Sequence, residues 1–261
     1  MTAREFAANV GVILTVMALL YSIELVVPLF ARDENGEARR PVNLGLMALT
    51  LLLNWALISL AAVVSSVPSL HGPAPIRSLG LPMPAVLVIS VAALDLSTYL
   101  AHVGMHKIPA LWRVHRVHHS DPFLDVTTTF RQHPLEGAWR FLWILVPVWI
   151  FGLPAAGVAA YRLLSAINGV FEHANIRLWT PLERILSLFW ATPNMHKIHH
   201  SRLATETNSN YGNIFALFDR GFRTFTPTDR AFAVVYGLQD DEPIAMRSFS
   251  AIMASPFTAS R

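Results

Sequence analysis

The sequence predicts an all-α integral membrane protein: three to four transmembrane helices plus a helical hairpin, carrying a cytoplasmic helical cap with a histidine-rich dimetal site. Three observations predict it. The 261-residue chain is 53% hydrophobic and only 14% charged, against roughly 25% charged residues in an ordinary soluble domain. Its apolar residues are gathered into runs of about one bilayer thickness. Ten of its eleven histidines fall between His102 and His200, at the ends of those runs. The chain has no cysteine, which excludes disulfides, thiolate metal sites and a cysteine nucleophile. The net charge of +3 with no basic tract gives no footing for nucleic-acid binding.

The first span is Val10–Phe30, interrupted only by Glu24, which an apolar stretch tolerates when the acid pairs with a residue such as Arg162 or faces an interior cavity. The first run is long enough to span and is followed by no small-residue cleavage site, so it reads as a membrane helix rather than a cleaved leader. Leu44–Val67 carries no charge and is the cleanest span, and Ala85–Ala101 holds Asp95. The run Phe141–Tyr161 is interrupted at Gly152-Leu153-Pro154, and proline there breaks a helix. A hairpin follows, with Ala138–Leu153 descending and Ala155–Phe171 returning. Each leg of about 15 residues reaches about 22 Å, short of the hydrocarbon core of about 30 Å. Only a hairpin leaves the histidines on both sides of it at one membrane surface.

Basic residues set the expected sidedness. Arg32, Arg39 and Arg40 lie in one loop, Lys107, Arg113, Arg116, Arg131 and Arg140 flank the first histidines, and nine Lys or Arg follow Glu172. The positive-inside rule puts these in the cytoplasm and the Arg77 loop outside. His71, in that outer loop, reads as a surface residue. The organisation read from this is a transmembrane stem (1–101), a histidine-rich region containing the hairpin 138–171 (102–226) and a C-terminal cytoplasmic tail (227–261). In the last part, Thr180-Pro181-Leu182-Glu183 reads as a helix start with Thr180 as cap, and Leu182–Trp190 as an interfacial helix.

The histidines are spaced as ligands. His102 and His106 share a helix face, as do His115 and His119 with His118 beside them, and His196, His199 and His200 repeat that spacing. Imidazole suits zinc, copper, iron and nickel. Eight to ten histidines supply two ions with four or five each, more than a zinc hydrolase needs, and no His-Glu-x-x-His motif is present. Two irons in a nitrogen-rich site fit best, with copper open on ligand chemistry. Each ligand imidazole needs a partner for its second nitrogen. Asp95, Asp121, Asp125, Glu136, Glu172 and Asp219 are the acidic candidates, Asp95 foremost because it lies two turns from His102.

At these residues the chain resembles the fatty acid hydroxylase and sterol desaturase superfamily of membrane di-iron oxygenases, in its bacterial-type members. The resemblance runs from Asp95 to Thr226. It covers Asp95–Tyr99, the stretch Leu111–Ser120 with its three histidines, Arg131–Glu136, Phe171–Asn175, Asn194–Ser201, Asn210–Asn213 and Asp219-Arg220. It implies a stem and cap holding two irons, with His102, His106, His115, His118, His119, His196, His199 and His200 as ligands, His173 joining them, and His133 either a ligand or a supporting residue. Asp95, Glu136, Asn175, Asn210 and Asp219 are implied to support the ligands. One departure is Val103, where relatives often carry arginine. The activity implied is hydroxylation or desaturation of an unactivated lipid C–H bond, with O2 as co-substrate. Electrons would come from a separate ferredoxin- or cytochrome-type donor and its reductase, since the chain has no flavin or nicotinamide glycine motif. The place implied is a bacterial inner membrane, with the metal site facing the cytoplasm. The rival readings are a membrane zinc hydrolase and a metal transport or binding protein.

Overall fold

A computed structural model describes residues 2–31, 39–67, 72–238 and 248–258; Arg32 and His71 lie outside the described residues. Among them the protein is all-helical, with isolated bridges but no β-ladder. Among the described residues four helices are long and apolar enough to cross a membrane: α1 (Ala3–Val26), α2 (Arg40–Ser66), α3 (Met83–Lys107) and, after the short α4 (Pro109–His119), α5 (Pro134–Phe151). Helix α6 (Ala155–His173) returns beside them. The cap adds α7 (Thr180–Leu186), α8 (Pro193–His199) and α9 (Phe249–Thr258), with single helical turns between.

Proline and small polar residues place the starts. Thr2 caps α1 in a reciprocal pair with Glu5. Prolines 41, 84, 109, 134 and 193 sit in the first turns of α2, α3, α4, α5 and α8, where the missing N–H costs nothing. In α7 Trp179 precedes the helix and Thr180 is its first residue, so Thr180 is not the cap. Glu183 instead accepts the Thr192 hydroxyl at 2.7 Å. The helix ends at Leu186 rather than Trp190, and Trp179, Ile185, Leu188 and Phe189 stay exposed.

The hairpin forms, and its legs are longer than expected. α5 gains four residues at its start because His133 and Pro134 cap it, and at 18 and 19 residues the legs reach about 27–28 Å at 1.5 Å per residue. Gly152 ends α5 at φ 70°, and a Cβ there would meet Ala74 at 2.6 Å, so the tip needs glycine for both conformation and space. The tip is stitched to the preceding loop by Gly72 N–H to Trp149 O and Ala74 N–H to Ile150 O, each 3.0 Å.

The two legs pack on α3 and α2 more than on each other. Of α3's apolar stretch 56% is buried, against 11% for α1 and 12% for α2, so α3 is the central post and α1 and α2 form the outer wall. Exposed Leu19, Leu25, Leu52 and Leu60 on that wall suit lipid, not water. The segment after Pro227 does not hang free. Ser201 bridges Tyr236, and α9 packs on α4 and α2 through Ile252, Val117 and Leu46. Residues 239–247 and 259–261 lie outside the described residues.

Candidate metal centre

The corner between α3 and α4 is a single residue, Ile108, which ends one helix and caps the next. It folds His102 and His106 back over His115 and His119. Helix α8 brings His199 to the same point, and the end of α6 brings His173 to His118, His196 and His200. Two groups result. His102, His106, His115, His119 and His199 form one, and His118, His173, His196 and His200 the other, each with ligand nitrogens within 4.8 Å of one another.

Hydrogen bonds determine which nitrogen faces inward. A carbonyl oxygen only accepts, so Nδ1 of His102 donates to Tyr211 O (2.9 Å), Nδ1 of His199 to Ser209 O (2.7 Å) and Nδ1 of His173 to Gly169 O (2.7 Å). Nδ1 of His115 faces Glu136 Oε2 at 3.0 Å. In a neutral imidazole with its proton on Nδ1, Nε2 is a bare lone pair. Yet Nε2 of His102 and His115 stand 3.1 Å apart, His115 and His119 3.2 Å, His118 and His173 3.1 Å, His173 and His196 2.9 Å, His196 and His200 3.0 Å. With both protons on Nδ1 the His102–His115 pair sets lone pair against lone pair, an arrangement that a metal ion between them makes favourable. Nε2 of His199 is buried with no partner.

The spacing carries further information. With metal–nitrogen bonds of about 2.0–2.1 Å, ligands at right angles stand about 3.0 Å apart and tetrahedral ones about 3.4 Å. The observed contacts of 2.9–3.2 Å lie in the range that imidazoles sharing one ion would take. Burial, and after it neighbouring histidines, hold His118, His119, His196 and His200 well below the ordinary histidine range, and burial brings His199 down to about 3. All remain neutral ligands near pH 7.

His133 belongs to neither group. Its Nδ1 accepts the Leu135 N–H at 3.2 Å as the cap of α5, and its Nε2 meets Met253 O at 3.2 Å. Both nitrogens are thus engaged where α9 returns to the stem, and the reading of His133 as a ligand is corrected to that of a cap.

Of the supporting residues, Glu136 touches a histidine as expected. Asp95 does not. It accepts the backbone N–H groups of Ile214 and Phe215 and the Asn213 amide, and a carbonyl partners His102 instead. Asp219 accepts from Tyr211 N, Gly212 N and Thr224 Oγ1, and Asn210, at φ 52°, ties the same turn to Met195 and Thr226. These three residues act together: they pin the turn 210–215 that offers its Tyr211 carbonyl to His102. Gly212 is required there, since a Cβ would meet Asp219 Oδ2 and Phe215 O at 2.9 Å.

Asn175 bonds Phe30 N and O, locking the end of α1 to the cap rather than a histidine. Asp121 and Asp125 also turn away from the histidines. Both pair with buried Arg39 (2.7 and 2.5 Å), while Arg131 bonds Asn43 and the end of α4. Glu172 stands 4.0 Å from His173 Nδ1 and 3.9 Å from His196 Nδ1. The carbonyl partners at Tyr211, Ser209 and Gly169 escaped sequence reading because any residue supplies a carbonyl.

Two cavities reach the histidines, the first touching both groups and the second only the first group. A polar cavity of about 90 Å³ inside the stem is lined by His102, His118, His173 and His196. A second, of about 270 Å³ on the cap side, is lined by His106 and His119 with Trp112, Arg116 and Arg202.

The fatty acid hydroxylase family model matches residues 87–224, a little over half of the chain. Ornithine lipid hydroxylase OlsE of Rhizobium tropici is 29% identical over 178 residues, covering 68% of this chain and 52% of that protein. Alkylglycerol monooxygenase of Danio rerio is 30% identical over 156 residues (58% of this chain, 32% of that protein), and that of Caenorhabditis elegans 27% over 148 (57% and 28%). The chain thus spans about half the length of these relatives, or less. No solved structure matches. The match takes in all nine histidines of the two groups, with His133 besides, and ends after His200 and the turn that braces them: the chain belongs to the fatty acid hydroxylase family.

Proposed function

We propose that this chain is a membrane-bound di-iron oxygenase that hydroxylates an unactivated C–H bond of a lipid, using O2 and electrons from a separate donor protein. The observation that carries the reading is the convergence of nine imidazoles in two groups, with Nε2 atoms facing each other at 2.9–3.2 Å. The names of the relatives, a lipid hydroxylase and alkylglycerol monooxygenases, favour hydroxylation over desaturation. His102, His106, His115, His119 and His199 would hold one iron, and His118, His173, His196 and His200 the other. The irons supply the activation of O2 and the oxidising power that no side chain has.

The rest is work of the chain. Glu136 and the Tyr211, Ser209 and Gly169 carbonyls keep the imidazole protons on Nδ1. Helices α2, α3, α5 and α6 shape the stem cavity in which the lipid meets the histidines, and burial keeps bulk water out of it. The sidedness we propose puts the histidine end in the cytoplasm of a bacterial inner membrane, as the loop charges favour; a reporter fused after Arg261 that reads as external contradicts it. A transporter would carry histidines along its spans, whereas here they gather at one end. Purified full-length protein is expected to contain two irons and to consume O2 when given reductant and lipid. One zinc with O2-independent hydrolysis contradicts the reading.

A further inference from the structure

Arg162 lies mid-way along α6, eleven residues before His173, so about 16 Å of helix separates it from the histidine end. It lines two adjoining spaces. One is the polar stem cavity, whose wall also carries Asn54, Thr98, Gln132, Arg140 and Glu172 besides the histidines. The other is an apolar groove between α1, α2 and α6, lined by Val10, Ile13, Leu51, Trp55 and Leu163. Asn54 also lines both, so Arg162 and Asn54 mark the junction between a greasy groove on the outer wall and a polar chamber under the metal centre.

Among the described residues Arg162 makes no hydrogen bond or ion pair. The nearby acids are engaged elsewhere. Glu24, the partner expected from sequence, accepts Val126 N–H and Asn175 N–H (3.0 and 2.8 Å) at the cap. Asp95 holds the 213–215 turn. Glu136 takes Arg140 and His115, which leaves Arg140 compensated. Glu172 lies by His173 and His196. A guanidinium at membrane depth without a counter-charge is costly and marks a functional group. Its planar fork suits carboxylate and phosphate.

We propose that Arg162, with Asn54 beside it, binds an anionic group, carboxylate or phosphate, of an amphiphilic substrate. The substrate's hydrocarbon tail lies in the apolar groove and its polar end enters the chamber. The proposal rests on the oxygenase reading above and narrows it: the oxidised C–H bond belongs to the polar end of the lipid, in the part that reaches past Arg162 toward the histidines, not to the tail. The lining supports this orientation, because a hydrocarbon chain gains nothing among Asn54, Gln132, Arg140 and Glu172. The cavity of about 90 Å³ holds a small polar group, given that one water needs about 10–15 Å³.

The test is binding to full-length protein in phosphatidylcholine nanodiscs, read by quenching of tryptophan fluorescence. The probes are laurate and lauroyl lysophosphatidate against methyl laurate, lauroyl glycerol and inorganic phosphate. The expected result is at least tenfold tighter binding of an anionic lipid than of its neutral counterpart, with the preference lost in Arg162→Gln and partly kept in Arg162→Lys. Equal binding of anionic and neutral lipids to the wild type, or a preference that survives in a folded Arg162→Gln, overturns it. Inorganic phosphate binding as tightly as the lipid probes also overturns it, since the tail would then contribute nothing. Should Arg162→Gln fail to fold, laurate against methyl laurate on the wild type still decides. Metal content is measured on the same samples: a wrong metal would refute the oxygenase reading while leaving the anion preference standing or falling by itself.

Discussion

The two histidine groups are built differently. The first has five imidazoles, and three of them, His102, His115 and His199, are braced at Nδ1 by a carbonyl or by Glu136. The second has four, of which only His173 has such a brace; Nδ1 of His118, His196 and His200 is buried without a hydrogen-bond partner among the described residues. Three members of the second group line the stem cavity against His102 alone of the first, while the first group lends the cap-side cavity His106 and His119. Bracing orients a ligand and raises its basicity. The difference teaches a division of labour: a fuller, better-held site toward the cap, and a looser one, a ligand short, beside the chamber where the lipid enters.

The most damaging change is the removal of a ligand. His199→Ala and His200→Ala are each expected to reduce product formation to background and to cost one metal ion per chain, from the first group and the second respectively. Metal analysis with a product assay checks both, and a variant that keeps two ions and full activity breaks the division. Next comes the brace. Glu136→Gln is expected to weaken metal binding in the first group by about 10–100-fold. A chelator should then empty both groups at similar rates, where the wild type loses the second group's ion first. Gly212→Ala, which pushes a methyl into Asp219 and the Phe215 carbonyl, is expected to cost about 1–3 kcal/mol, seen as a lower melting temperature with earlier loss of the first group's ion.

Acid sharpens the comparison further. His118, His119, His196 and His200 lie well below the ordinary histidine range and His199 near 3, through burial. The unfolded chain therefore takes up protons that the folded one resists. The stability of the metal-free protein is complete above pH about 6.5 and falls as the pH drops from there toward about 3. Burial raises the Asp125 carboxyl, but the Arg39 charge and hydrogen bonds from Thr127 outweigh it and leave it below its usual range. The latch between α2 and the cap thus keeps its charge pair until the pH falls below the ordinary carboxylate range. Circular dichroism of the metal-free protein against pH should show stability falling below pH about 6.5. The smallest effect is reserved for His133→Ala. It leaves the metal content at the wild-type value and costs about 1 kcal/mol as a lost helix cap.

Much of this was legible in the sequence because it rests on spacing. The i, i+4 pairs His102–His106, His115–His119 and His196–His200 each placed both members in one group, and Gly152-Leu153-Pro154 announced the hairpin. What escaped depends on the tertiary path of the chain. Asp95 lies two turns from His102 along α3, yet its carboxylate reaches the turn 213–215 because that turn offers two backbone N–H groups with no other partner. His133 lies in a histidine-rich region, but Pro134 makes it the natural cap of α5. The Arg162 chamber was invisible because Glu24, its obvious mate on composition, is drawn to the cap backbone, where it accepts the Val126 and Asn175 N–H groups.

The most direct measurement is metal stoichiometry of the full-length protein by mass spectrometry, together with that of His200→Ala and His199→Ala. The account predicts two irons per wild-type chain and one in each variant, with the remaining ion held more tightly in His200→Ala than in His199→Ala. One ion in the wild type, zinc in place of iron, or equal retention in the two variants would contradict it.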